Sequence, residues 1–109
     1  MILLGAGANL GADAATATVP LAEGDNSHVT FQLVDAGSWS GTITFQATLD
    51  GTNWVSILAV PVTTGTAAAT TTAAGIFQID ASGCAAVRAK VTTYSAGSMD
   101  VTAAISLDR

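Results

Sequence analysis

The sequence carries little charge. Aspartate, glutamate, lysine and arginine make up 10% of its 109 residues, compared with about a quarter in an average soluble domain. Eight acidic and three basic residues give a net charge of −5. Three cations cannot form the clustered basic surface that binding to nucleic acid phosphates or to an anionic membrane requires. We therefore expect neither nucleic acid nor membrane as a partner.

Cysteine and histidine are also scarce, since each occurs once. With Cys84 alone, no intrachain disulfide and no multi-cysteine metal site can form. A serine or cysteine nucleophile needs a nearby base, and the single histidine, His28, is predicted at the boundary between a turn and a strand. Most aspartates fall at predicted turns or strand ends, where their side chains serve turn geometry. The sequence therefore predicts no enzyme activity, no metal and no cofactor.

Long hydrophobic runs are missing as well. No segment approaches the roughly 18 apolar residues that a membrane-spanning helix needs. The apolar start, Met1 to Leu4, has no basic residue and stops at Gly5, short of the roughly 7–15 residues of a signal-peptide core. We therefore expect a protein made in the cytoplasm of its host.

Small apolar residues and neutral polar residues are abundant instead. Hydrophobic residues reach 50% of the chain, and alanine supplies much of this fraction. Solubility must then depend on threonine, serine, glutamine and asparagine. A neutral polar surface is less costly to desolvate than a charged one. This composition is typical of a domain with a permanent neighbour.

Alternation of apolar and polar residues predicts short strands and no helix. Val29, Phe31 and Leu33 mark one strand. Pro20 lacks a backbone donor, so residues 14–22 are expected to form an edge strand. Two further short strands are predicted over residues 67–72 and 76–79.

These strands, separated by turns every eight to twelve residues, define the predicted fold class. We expect an all-β protein, a single antiparallel β-sandwich or jelly-roll-like domain of about seven to eight strands. The domain is predicted over residues 14–109, and residues 1–13, which are rich in glycine and alanine, are predicted to form an N-terminal arm.

The segment from Gly41 to Val62 predicts a β-hairpin whose second strand is apolar on both faces. A four-residue loop over residues 50–53 would set the pairs Leu49 with Trp54, Ala47 with Ser56, Phe45 with Leu58, and Ile43 with Val60. Trp54 would then lie on the core side. The outer face would carry three apolar residues, Val55, Ile57 and Ala59, where a monomer normally has polar ones.

Apolar residues on an outer face indicate a covered surface. We predict a protein interface made by two groups, the outer face and the start of the arm: Val55, Ile57, Ala59, Ile2, Leu3 and Leu4.

The end of the chain predicts a second hairpin around a three-residue loop, Ser95 to Gly97. Its pairs would be Val91 with Val101, Ala89 with Ala103, and Val87 with Ile105. Gly97 would adopt the left-handed conformation that such a loop needs. Arg88 and Lys90 would share the outer face, with Lys90 diagonal to Asp100.

Three segments resemble the small β-sandwich proteins found on tailed-bacteriophage particles. They are WSGTITFQATLDGTNW from Trp39 to Trp54, AAVRAKVT from Ala85 to Thr92, and SAGSMDVT from Ser95 to Thr102. The resemblance spans about residues 28–107. It implies a virion structural protein, most specifically a capsid decoration (cement) protein. Its implied partners are the major capsid protein or other virion proteins, and a homo-oligomer, with a trimer favoured.

The alternative is a tail or fibre component that binds carbohydrate or a receptor, because a strand, Asp-Gly, Trp and strand pattern also occurs in carbohydrate-binding sandwiches. In that alternative Trp39 and Tyr94, predicted in loops or at strand ends, would stack on a glycan. Aromatic residues at such positions more commonly cover one end of a sandwich core.

Overall fold

The computed structural model describes residues 2–3, 8–11, 16–20, 27–81 and 84–107. Within these ranges the secondary structure consists of strands: β1 (Ile2–Leu3), β2 (Ala8–Leu10), β3 (Thr16–Pro20), β4 (Ser27–Asp35), β5 (Ser40–Thr48), β6 (Val55–Ser56), β7 (Val60–Pro61), β8 (Thr70–Thr71), β9 (Gly75–Asp80), β10 (Ala86–Ala96) and β11 (Met99–Leu107). The described part of the chain contains no helix of the length and apolarity needed to cross a membrane.

The strands form two antiparallel sheets with a shared core. Sheet I has the order β1, β11, β4, β9, β7, and β2 also pairs with β11. Sheet II has the order β3, β10, β5, β6, and β8 also pairs with β5. The predicted β-sandwich class is therefore confirmed. The segments outnumber the predicted strands because short ones share an edge, β1 with β2 along β11 and β6 with β8 along β5.

The core lies between the sheets and contains the alternating residues that the sequence predicted. Those on β4, β5, β10 and β11 are Val29, Phe31, Leu33, Ile43, Phe45, Ala47, Val87, Ala89, Val91, Val101 and Ala103. All three phenylalanines of the chain meet there, with ring centroids 5.9 Å apart for Phe31 and Phe45 and 5.2 Å apart for Phe45 and Phe77. Phe45 belongs to sheet II and the other two to sheet I, so these rings join the sheets.

Within the predicted edge strand over residues 14–22, the described part, β3, lies at the edge of sheet II as expected. The predicted strand over residues 67–72 is reduced to β8, which pairs with β5. The strand predicted over residues 76–79 is present as β9, between β4 and β7 in sheet I.

The predicted second hairpin is wrong, because β10 and β11 lie in different sheets. β10 pairs with β3 and β5 in sheet II, and β11 pairs with β4 in sheet I. Lys90 and Asp100 therefore lie on outer faces of opposite sheets. Both strands turn their apolar side chains into the same core, so they show the alternation expected of hairpin partners without being paired. Gly97, between them, has φ of 77°, as predicted.

Candidate functional site

One carboxylate organises the loop between β5 and β6. Asp50 Oδ1 accepts hydrogen bonds from the backbone N–H groups of Thr52 at 2.8 Å and Asn53 at 2.7 Å, and from the Thr48 hydroxyl at 3.1 Å. Its Oδ2 accepts a 2.7 Å bond from the Asn53 amide. Gly51 adopts the left-handed conformation, with φ of 79°. The connection runs over residues 49–54, so it is longer than the predicted four-residue loop.

The register of the predicted first hairpin is also shifted by one residue. Ala47 lies opposite Val55, and Gln46 lies opposite Ser56. The predicted partner of Ala47 was Ser56. Because side chains alternate along a strand, a shift of one residue moves each of them to the other face of the sheet.

The shift overturns the predicted outer face. Ala59 is fully buried, and Ile57 is partly buried against the core. Val55 faces the same side as the core but lies at the sheet edge, where it is 68% exposed. Leu58, predicted to face the core, is 61% exposed. The prediction that Val55, Ile57 and Ala59 share an exposed outer face is therefore wrong, and so is the core position of Trp54.

After Ser56 the chain leaves sheet II for sheet I. Val60 lies opposite Gln78 of β9, whereas the predicted hairpin placed it opposite Ile43. Thr71 of β8 pairs with Ile43 instead. Strands that switch sheets at such bends form the corners of many sandwiches. The single long strand predicted up to Val62 is thereby divided into β6 and β7.

The loop over residues 49–54, which we call the Asp50 loop, is expected to make the free energy of unfolding depend on pH. Hydrogen bonds from the backbone of Asn53, then from the backbone of Thr52 and the Asn53 amide, hold the pKa of Asp50 well below its usual range. In the unfolded chain this pKa is about 3.9. Because the pKa is lower in the folded state, the carboxylate stabilises the fold fully above the unfolded value, and this contribution is lost as the pH falls below it. Urea unfolding of Asp50→Asn should therefore show a smaller loss of stability between about pH 6 and pH 3 than the wild type.

The comparison isolates Asp50 because the other carboxylates titrate in both proteins. Equal losses of stability in the two proteins over this range would contradict the role given to the loop.

Trp54 lies over the outer face of sheet II, where it contacts Arg88. The Arg88 Cζ atom is 4.1 Å from the centroid of the Trp54 ring, a cation–π contact. Arg88 Nε donates a 2.8 Å hydrogen bond to Gln46 Oε1, and the two residues are direct partners across β10 and β5. Lys90 follows on the same face, opposite Thr44. We call Gln46, Trp54, Arg88 and Lys90 the Arg88 patch; all four are half-buried.

A separate cleft opens at the edge of the sandwich beside the Asp50 loop. Its volume is about 650 Å³, and it is lined by Ala47, Thr48, Leu49, Asp50, Asn53, Val55, Ser56, Ile57 and Cys84. Leu49, with 75% of its surface exposed, and Val55 are its most exposed apolar residues. Residues predicted to form an apolar outer face thus contribute to the mouth of an apolar cleft instead.

The N-terminal segment lies along the edge of sheet I. The backbone of Ile2 and Leu3 pairs with β11, and β2 pairs with the same strand further along. Leu10 of β2 is buried in the core. Leu4 lies outside the described residues. The participation of Ile2, Leu3 and Leu4 in an interface stays a prediction.

Trp39 and Tyr94 meet at one end of the sandwich. Their ring centroids are 6.1 Å apart with an interplanar angle of 60°, and both side chains pack partly buried against the core. The Tyr94 hydroxyl donates a 3.1 Å hydrogen bond to the Gly97 carbonyl. The Trp39 indole N–H is buried without a partner in the described part of the chain. Each ring contacts the other, and their stacking on a glycan stays a prediction.

The remaining chemically reactive groups are dispersed. His28 is exposed on sheet I, opposite Asp80, and Cys84 is half-buried against the core. Among the described residues, no group of three or more histidine, cysteine or acidic side chains is arranged to hold a metal ion. The Arg88 patch and the cleft are therefore the two candidate binding surfaces among the described residues.

Sequence reasoning missed the Arg88 patch because it assigned Trp54 to the core. The available signal was Asp50 at the start of the turn. An aspartate in this position commonly accepts hydrogen bonds from backbone groups two or three residues later. A loop built on these hydrogen bonds pairs Ala47 with Val55, and this register places Trp54 on the face opposite to the predicted one.

No protein-family model and no curated protein matches this chain. Among solved structures, it is similar to SPBc2 prophage-derived protein YomS, with a TM-score of 0.69 and 17% identity, over 92% of this chain and 91% of that chain. It is also similar to PBSX exported protein XepA, with a TM-score of 0.73 and 18% identity, over 89% of this chain and 34% of that chain.

The chain thus spans about a third of XepA but nearly all of YomS. At these identities the likeness is one of fold. The fold of this chain is thus similar to that of YomS and to that of about a third of XepA.

Proposed function

We infer that this chain is a non-enzymatic structural protein of a bacteriophage particle, and in particular a capsid decoration protein. The observation that carries the proposal is the fold shared with a prophage-derived protein over 92% of this chain and 91% of the other. The resemblance of the segments from Trp39 to Trp54 and from Ala85 to Thr102 to virion sandwich proteins supports it independently.

The surface chemistry also supports a permanent protein contact. Both outer faces carry mainly neutral polar side chains, such as Thr30, Gln32 and Gln78 on sheet I and Thr18 and Gln46 on sheet II. Burying such groups against hydrogen-bonding partners is less costly than burying charges. A protein that stays bound to a shell benefits from this property.

A decoration protein acts through binding alone. It binds the assembled shell of major capsid protein and not the free subunits, so it stabilises the assembled state by mass action, by about 2.7 kcal/mol per site at a free concentration 100 times Kd. As a homo-oligomer, with a trimer favoured, it would bind several capsid subunits at once over a junction between capsomers. Binding through several protomers raises the overall affinity without new contacts.

The test uses particles of the phage that encodes the chain. We expect mass spectrometry to find the protein in purified particles and antibody labelling to place it on the head. Heads from a gene deletion should release DNA at a lower temperature than wild-type heads, and added purified protein should restore the wild-type temperature. As a control, the same addition to wild-type heads, whose sites are filled, should change nothing.

Two results would contradict the proposal. Absence of the protein from particles would exclude a virion role. Labelling of the tail, together with unchanged head stability in the deletion, would favour the alternative role as a tail or fibre component.

A further inference from the structure

We propose that the Arg88 patch is a docking site for a protein surface that presents a carboxylate among apolar side chains. The inference rests on the proposed virion role and adds to it the face used and the chemistry of the partner. It starts from Arg88, whose guanidinium group is restrained at two points, by the 2.8 Å bond from Nε to Gln46 and by the Trp54 ring 4.1 Å from Cζ.

These restraints leave Arg88 prepared for an anion. Gln46 and Trp54 are both neutral, so neither neutralises the guanidinium charge. Nε is occupied, and the two terminal nitrogens form the edge of the guanidinium group that pairs bidentately with a carboxylate. A side chain already held in place loses less conformational entropy on binding than a free one.

Among the residues that the structure describes, the two outer faces differ in the sign of their charged side chains. Arg88 and Lys90, the basic residues of the described part of the chain, both lie on sheet II. Asp80 and Asp100 are exposed on sheet I. The outer face of sheet II is therefore the one that complements an acidic partner, although the whole chain carries a net charge of −5.

The shape and composition of the face favour a protein as the occupant. The cleft beside the Asp50 loop does not include Trp54, Arg88 or Lys90 among its lining residues, and small ligands such as sugars usually bind in concave sites. Two cations are too few to hold a nucleic acid backbone. Tryptophan and arginine, by contrast, are the residues most enriched at the centres of protein interfaces. Leu58, on the segment that follows β6, is a further exposed apolar side chain.

A carbodiimide cross-linking experiment on purified particles tests the proposal. Carbodiimide joins a lysine to a nearby carboxylate through an amide bond. Lys90 is the only lysine in the chain, so any lysine of this protein found in such a bond is Lys90, and its partner is the carboxylate that lies at the Arg88 patch. Particles assembled from a mixture of unlabelled and ¹⁵N-labelled protein separate contacts between copies from contacts with other proteins. We expect Lys90 to be joined to an aspartate or glutamate of a different virion protein.

Two variants of equal net charge measure the contribution of Arg88. Arg88→Gln removes one positive charge from the patch, and Gln32→Glu adds one negative charge to the exposed outer face of sheet I. We expect Arg88→Gln to weaken binding to particles that lack the protein by about tenfold or more, as for an interface hot spot, and Gln32→Glu to bind like the wild type. Circular dichroism checks that both variants fold.

Several outcomes would overturn the inference. Cross-links from Lys90 to another copy of this chain would assign the patch to self-association, and cross-links to an acidic sugar would assign it to glycan binding. Acetylation of Lys90 at the same rate in particles as in free protein would show the face to be uncovered. If the protein is found in particles but Lys90 behaves in any of these ways, only the docking proposal fails. If the protein is absent from particles, the docking proposal and the proposed virion function both fail.

Discussion

Replacing Gly97 with alanine is expected to lower the free energy of unfolding by at least about 3 kcal/mol. Gly97 connects β10 to β11 with φ of 77°, and a residue with a Cβ atom in the left-handed conformation costs about 1–2 kcal/mol. A Cβ at this position would also lie 2.6 Å from the carbonyl oxygen of Ser38 and would overlap that of Gly37. The substitution therefore adds a steric clash to the conformational cost.

The atoms that clash belong to a turn that cannot easily move. Asp35 Oδ1 accepts hydrogen bonds from the backbone N–H groups of Gly37 at 3.0 Å and Trp39 at 3.1 Å. The N–H of Ala36 donates a 3.0 Å bond to the carbonyl of Ser98. The turn between β4 and β5 is thus bonded to the connection between β10 and β11. Both connections cross from one sheet to the other. Moving them apart to relieve the clash would break the hydrogen bond between them.

Gly51→Ala is the matched control for this substitution. Gly51 has φ of 79°, close to that of Gly97, but nothing lies within 4 Å of the position of its Cβ. Only the conformational cost applies, so we expect a loss of about 1 kcal/mol. Urea unfolding at neutral pH measures both variants. Equal losses in the two would show that the contact between the turns contributes nothing.

On four of the strands, the sequence was sufficient to predict which residues fill the core. Alternation is a local property, and on β4, β5, β10 and β11 it assigns the buried faces correctly. Val29 and Phe31 illustrate this, as do Val91 and Val101 on the two final strands. The left-handed conformation of Gly97 was also predictable, because a tight connection between strands requires it.

Strand pairing was not predictable in the same way. Two strands with matching apolar faces can be neighbours in one sheet or can face each other across a sandwich, and both arrangements bury the same residues. Val91 and Val101 fit either arrangement. The two arrangements are distinguished by the pairing of β10 with β5 and of β11 with β4. These strands are far apart in sequence, so no local pattern predicts their pairing.

The candidate site was the least predictable part, because it depends on a register. The hydrogen bonds that Asp50 accepts organise one loop, and the strands beside it pair one residue away from the predicted register. Trp54 accordingly lies against Arg88 and not in the core. Val55 lines the cleft, and Ala59, beyond the point where the chain leaves sheet II, is buried. An error of one residue in the register of a hairpin thus leaves the predicted fold class correct but exchanges the residues predicted for the core and for the outer face.

Phe45→Ala is expected to have an effect of similar or larger size, because its side chain joins the two sheets. Phe45 is fully buried, and its ring contacts those of Phe31 and Phe77. Truncating a buried phenylalanine costs about 3–5 kcal/mol, and each aromatic pair contributes about 0.5–1.5 kcal/mol beyond its buried area. Since a domain has a total stability of about 5–15 kcal/mol, the variant should lose a large part of it.

Thermal unfolding followed by circular dichroism measures this loss. At roughly 4 °C per kcal/mol for a domain of this length, the midpoint should fall by about 12 °C or more. Leu49→Ala, which also truncates a large apolar side chain but at a position that is 75% exposed, should stay within about 0.5 kcal/mol of the wild type. If Phe45→Ala unfolded within two or three degrees of Leu49→Ala, the three phenylalanine rings would not be what holds sheet I to sheet II. If the unfolding midpoint falls in Phe45→Ala and not in Leu49→Ala, the Phe45 ring is a main contact between the two sheets.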